Sequence, residues 1–186
     1  MYNTWVGTLI TAQGAGASLS SSASATSILP AQAKYTLPNN FWDHVGQEMR
    51  ISGMCDVSNI VTTPGTLTLD IRFGGTVVFN GGAMQLSTTA HTTLPLWFEI
   101  YLTLRATGSS ANLMGQGRAT SQTLSLTAVA DSTTTPATLL MPNTTPAVGT
   151  NFDATASQQV DMFATFSISN AANLIQLQTY RVESLN

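Results

Sequence analysis

Charge is what this sequence has least of. Asp, Glu, Lys and Arg make up 8% of its 186 residues, against roughly 25% in an ordinary soluble domain. Six Lys/Arg scattered along the chain form no basic stripe, so nucleic acid is not an expected partner. The formal charge of −3 gives little long-range steering. Cysteine occurs once, at Cys55, which excludes a disulfide framework within the chain and a cysteine-based zinc site. No run of 18 apolar residues is present, so neither a transmembrane helix nor a membrane partner is expected. Residues 1–10 lack a positive n-region, and no secretory signal is expected. Lys and Glu, the usual fillers of exposed helix, total four residues, which argues against helices.

Hydroxyls and β-branched residues are what the chain has in quantity. It holds 29 Thr and 18 Ser, with 43% hydrophobic residues, too apolar a mixture for disorder. Its length suits one domain with a real core. A surface with so few charges is hydrated by Ser, Thr, Asn and Gln or covered by other protein.

Period-two alternation recurs. In 47–57, Met49, Ile51, Gly53, Cys55 and Val57 share one face. Leu67, Leu69, Ile71 and Phe73 oppose Thr66, Thr68, Asp70 and Arg72. Leu96, Phe98, Ile100, Leu102 and Leu104 face one way, as in 158–168 do Val160, Met162, Ala164, Phe166 and Ile168. Turn signals separate these runs, among them Thr63-Pro64-Gly65, Gly74-Gly75 and Asn80-Gly81-Gly82. Gly74-Gly75 is expected to close a two-residue hairpin. The pattern predicts an all-β fold, an antiparallel jelly-roll or Greek-key β-sandwich of about eight to ten strands. Residues 1–30 are expected to form an N-terminal arm with a flexible Ala/Ser-rich linker over 11–29. Residues 31–186 form the sandwich, with a long Thr/Pro-rich loop insertion at 131–157.

No catalytic, metal or cofactor constellation emerges. His44 and His91 lack partners at ligand spacing. Gly115-Gln116-Gly117 is expected to be a bulge or a tightly packed strand, not a phosphate cradle. Asp153 and Asp161 are expected to be solvated carboxylates, not calcium ligands. Cys55 is expected to pack as a small hydrophobe. No enzyme and no cofactor are therefore expected.

The informative residues are apolar ones on the wrong face. Trp97 and Tyr101 lie opposite the core face of their strand, Phe163 opposite that of 158–168, and Met54 opposite that of 47–57. One-sided sheets alternate apolar and polar, so these four are expected to form a subunit interface. Tyr2, Trp5, Leu9 and Ile10 precede the flexible stretch. They form either a strand that pairs on another chain or the first strand of their own sandwich.

One succession of motifs extends this. Tyr35-Thr36-Leu37-Pro38-Asn39-Asn40 leads into Val45-Gly46 and the strand after it; Ile71-Arg72-Phe73-Gly74-Gly75-Thr76, Leu96-Trp97-Phe98-Glu99-Ile100-Tyr101 and Met114-Gly115-Gln116-Gly117 follow. Over residues 33–120, and more loosely over 174–182, the chain resembles a group of tailed-bacteriophage virion proteins. The resemblance implies a jelly roll, trimeric as in the tumour-necrosis-factor and complement globular-head shape. It also implies a virion location on the capsid exterior. The expected function is that of a homotrimeric decoration (cement) protein that bridges major capsid protein subunits, its arm residues Tyr2, Trp5, Leu9 and Ile10 touching the capsid. The alternative is a receptor-binding or structural module of a tail or head fibre, using the 131–157 loop, whose one aromatic is Phe152.

Overall fold

The computed structural model describes residues 6–60, 62–125 and 136–185. Its strands are β1 (Gly7–Thr11), β2 (Leu19–Ser20), β3 (Thr26–Ser27), β4 (Thr36–Leu37), β5 (Glu48–Asn59), β6 (Thr66–Phe73), β7 (Thr76–Asn80), β8 (Met84–Gln85), β9 (His91–Ala106), β10 (Asn112–Ser121), β11 (Ala137–Met141), β12 (Gln158–Phe166) and β13 (Leu174–Ser184). Each pairing among them is antiparallel.

Two sheets face each other. A seven-stranded sheet runs β1-β13-β5-β9-β10-β11, with β2 beside β13. A six-stranded sheet runs β3-β12-β6-β7, with β4 beside β12 and β8 beside β6. Setting aside the short β2, β4 and β8, β1-β13-β5-β9 faces β3-β12-β6-β7, which is the interleaved strand order of a jelly roll. The β10-β11 hairpin widens the first sheet beyond β9.

Alternation determines the core. Met49, Ile51, Cys55 and Val57 of β5 are buried, as are Leu96, Phe98, Ile100, Leu102 and Leu104 of β9. Leu67, Leu69, Ile71 and Phe73 of β6 and Val160, Met162, Ala164 and Phe166 of β12 meet them from the other sheet, but Ile168, expected on the same face, lies past the end of β12 and is exposed. Each such large side chain contributes about 1.5–3 kcal/mol by leaving water. Gly74 and Gly75 close the β6–β7 hairpin at φ +54° and +96°. A two-residue turn of that hand matches the twist of its strands and needs positive φ at both positions.

The N-terminal segment differs from the expected flexible arm. Tyr2 and Trp5 lie outside the described residues. Leu9 and Ile10, expected to reach a capsid, belong to β1, which pairs with β13 of the same chain, and both pack against its core. The Ala/Ser-rich stretch is held by backbone bonds. Ala12 N–H donates to Tyr180 O and Gly16 N–H to Leu177 O, both at 2.9 Å, while Ile28 N–H donates to Met162 O at 3.0 Å. Leu19, Ile28 and Leu29 are buried and anchor it. Small residues suit this path because the chain lies close: a Cβ on Gly16 would sit 1.8 Å from Ile28 O.

Residues 131–135 of the expected 131–157 insertion lie outside the described residues, and 136–157 are more ordered than a loop. Ala137–Met141 forms β11 against β10, and Gly149 and Phe152 donate their N–H groups to Leu113 O and Ala111 O at 2.8 Å. Phe152 is buried and packs edge-on against Phe73, ring centroids 5.1 Å apart. It is a core anchor, and no host-binding aromatic is presented there.

Candidate functional site: the outer face of the seven-stranded sheet

Strand register sorts the outer face into transverse rows. One row runs Leu140, Arg118, Glu99, Ser52, Arg181, Thr11, crossing from β11 to β1. The next runs Thr120, Trp97, Met54, Thr179. On the other side lies Gln116, Tyr101, Arg50, Glu183, Thr8. Side chains along a strand alternate between faces, so residues two apart share a face and neighbouring rows touch.

The rows bring together most of what little charge the chain has. Arg50, Arg105, Arg118 and Arg181, four of its six Lys/Arg, lie on this face, with Glu48, Asp56, Glu99 and Glu183. Five of them form one continuous chain of ion pairs. Arg118 Nη2 lies 3.1 Å from Glu99 Oε2, and Glu99 Oε1 lies 3.9 Å from Arg50 Nη1. Arg50 Nη2 reaches Glu183 Oε2 at 2.6 Å, and Glu183 Oε1 lies 3.7 Å from Arg181 Nη1. Tyr101 O–H donates to Glu99 Oε1 at 3.0 Å. The hydrogen bond to Glu183 raises the Arg50 guanidinium above its usual value.

The network is buried from below and open above. The Glu183 side chain is 6% exposed and that of Glu99 25%, while Arg118 and Arg181 are 65% and 55% exposed. Glu183 hydrogen-bonds Arg50 and Glu99 hydrogen-bonds Arg118, while much of the Arg118 and Arg181 side chains remains open to water. Beside them Trp97 is 58% exposed. Between the rows runs a groove of about 550 Å³, lined by Trp97, Glu99, Arg118, Ser52, Thr179 and Arg181 among others.

The expected interface residues separate. Trp97, Tyr101 and Met54 share this face, Trp97 and Met54 being direct register partners. Phe163 does not join them. It lies on β12 in the other sheet, with the Arg72 guanidinium 3.8 Å above its ring. A patch containing all four is therefore ruled out by the sandwich between them. Period two tells inside from outside, but it does not tell one sheet's outside from the other's.

The remaining candidates are structural. Asp161, expected in solvent, is buried; it accepts from Lys34 Nζ and Ser27 Oγ, both at 2.7 Å. Asp153 accepts from the Thr155 hydroxyl and amide at 2.6 and 2.9 Å, and the hydroxyl bond first of all lowers its pKa. His44 pairs with Asp43 at 2.5 Å. Gly115 and Gly117 belong to a tightly packed strand, where a Cβ would sit 2.2 Å from the Phe79 ring and 2.5 Å from Glu99 O. Burial pushes the Cys55 thiol and the Tyr180 phenol upward, so both stay protonated. Among the described residues no three His, Cys, Asp or Glu gather as a metal set, and no helix is long and apolar enough to cross a membrane.

No protein-family model matches the chain, and no curated protein matches it. Two solved structures share a distant likeness. The CBM2 module of the Lactobacillus casei BL23 phage J-1 evolved Dit is 8% identical at a TM-score of 0.35, with 97% of each chain covered. A GH43 glycoside hydrolase engineered to display both endo-xylanase and exo-arabinofuranosidase activity is 10% identical at 0.32, with 85% of this chain and 36% of that one covered. Likenesses this remote carry nothing about function.

Proposed function

We propose that this chain is a structural module of a bacteriophage virion that works by adhesion through the outer face of its seven-stranded sheet. The virion setting rests on the motif resemblance over residues 33–120. The adhesive face rests on one observation, the exposure of Trp97 beside the exposed guanidinium groups of Arg118 and Arg181, each paired with a less exposed carboxylate. Binding to such a face has less to order at Arg118, which Glu99 already hydrogen-bonds. A tail or fibre module that presents this face to a host surface fits best. The cores of permanent subunit interfaces are depleted in charge, and this face carries eight charged residues.

A different feature favours the capsid-decoration reading. Four cations and four carboxylates make the face self-complementary, so sister subunits of a homotrimer could seat on it with Trp97, Tyr101 and Met54 at the centre. Such a trimer would bridge major capsid protein subunits on the head exterior. Sedimentation velocity of the wild type and Trp97→Ala, with binding to host cells and to undecorated heads, separates the two. The adhesion reading expects unchanged sedimentation and lost cell binding in the variant. A trimer that dissociates on the substitution, together with wild-type coating of heads, would replace it with decoration. Wild-type protein that binds neither target would sink both.

A further inference from the structure

Resting on the adhesive face, we infer that its groove binds a linear, anionic carbohydrate chain, laid across the strands. Three observations carry this. The first is direction. The row Arg118, Glu99, Ser52, Arg181, Thr11 crosses five adjacent strands, and strands lie about 4.8 Å apart, so the row spans roughly 19 Å. A trough of that length fits an extended chain better than a single ring. Ser52, small and central, leaves the floor low.

The second is the wall. Trp97 stands one row from the Glu99–Ser52 floor, 58% exposed. An indole face offers a flat apolar surface at little entropic cost, which suits the C–H face of a sugar ring. Thr120 neighbours it in the same row, Met54 lies on its other side and Thr179 beyond Met54, and the two threonines supply hydroxyls to the groove.

The third is charge. The chain as a whole is acidic, but the exposed groups of the groove are cationic. Arg118 and Arg181 face solvent at positions three strand spacings apart, roughly 14 Å, while their carboxylates are the less exposed partners. A guanidinium has five donors, and one charged pair leaves the others for a second anion. Two such groups on either side of a tryptophan select a polymer with negative charge at intervals. A uronate carboxylate and a phosphodiester share that chemistry.

Affinity electrophoresis of the full chain tests this, in gels containing polygalacturonate, a polysaccharide of phosphodiester-linked hexoses, or neutral dextran. At least one acidic polymer is expected to retard the protein, less so as salt rises, and dextran is not. The retarding polymer identifies the anion. Trp97→Ala is expected to weaken retardation by about tenfold or more, as loss of a central aromatic anchor does. Arg118→Ala and Arg181→Ala should each weaken it by roughly threefold to tenfold, the loss of one charge-assisted contact. Retardation by dextran equal to that by the acidic polymers overturns the inference, as does retardation by none, or retardation that all three variants keep. Acrylamide quenching of Trp97 fluorescence, read as the difference between wild type and Trp97→Ala, separates this from failure of the adhesion reading. A Trp97 shielded by a second copy defeats adhesion itself. An accessible Trp97 without acidic-polymer binding defeats the ligand alone.

Discussion

The two outer faces of the sandwich use the same few charges in opposite ways. On the six-stranded sheet the ions close on themselves. Arg72 reaches buried Asp70 with Nε at 2.7 Å and Nη2 at 3.3 Å, its guanidinium lying over Phe163. Lys34 is held 2.7 Å from Asp161 and joins the segment before β4 to β12. On the seven-stranded sheet the carboxylates sit low and the guanidinium groups of Arg118 and Arg181 stay open beside Trp97. In a chain this poor in charge, placement makes the difference. One face uses ions to fasten its own backbone, and the other leaves the guanidinium groups of Arg118 and Arg181 exposed.

Substitutions can break that contrast, and the largest effect is expected on the closed face. Arg72→Ala strips a buried carboxylate of its partner and should cost about 3 kcal/mol, since uncompensated buried charge is the expensive case. Urea unfolding measures it, and a loss under about 1 kcal/mol would mean that Asp70 finds water. Asp161→Ala should cost about 2 kcal/mol by freeing Lys34 and Ser27. It should also speed amide exchange at Ile28, and unchanged protection there would show that the segment holds without it. On the open face Trp97→Ala should change stability by no more than about 0.5 kcal/mol, and Arg118→Ala by a similarly small amount. A large loss from either would make the face structural and erase the contrast. The smallest effect is expected at Cys55. Its thiol, buried and pushed upward, should ignore a disulfide reagent in the native state and react once the chain is unfolded.

Much of the sandwich is legible in the sequence because β-strand burial is local. Leu67-x-Leu69-x-Ile71-x-Phe73 declares its inner face without reference to any other strand, and Gly74-Gly75 declares its turn. Trp97 and Tyr101 stand out against Phe98 and Ile100 for the same reason. What depends on distant pairing is not legible. The 11–29 stretch reads as a linker because its composition is small and polar, but its hydrogen bonds come from Leu177 and Tyr180 at the far end of the chain. β11 hides in a Thr/Pro-rich run because an edge strand needs only one neighbour to form. The rows of the groove, and the separation of Phe163 from Trp97, follow from sheet order and register. No single strand carries that information.

The brace between Lys34 and Asp161 has a practical corollary. Lys34 is the one lysine in the chain, and its ammonium is already engaged. Glutaraldehyde and succinimidyl esters, common tools for trapping assemblies, would find almost no handle on this protein. A negative result from them would therefore be silent about its neighbours, and carboxylate- or photo-activated reagents are the ones to choose.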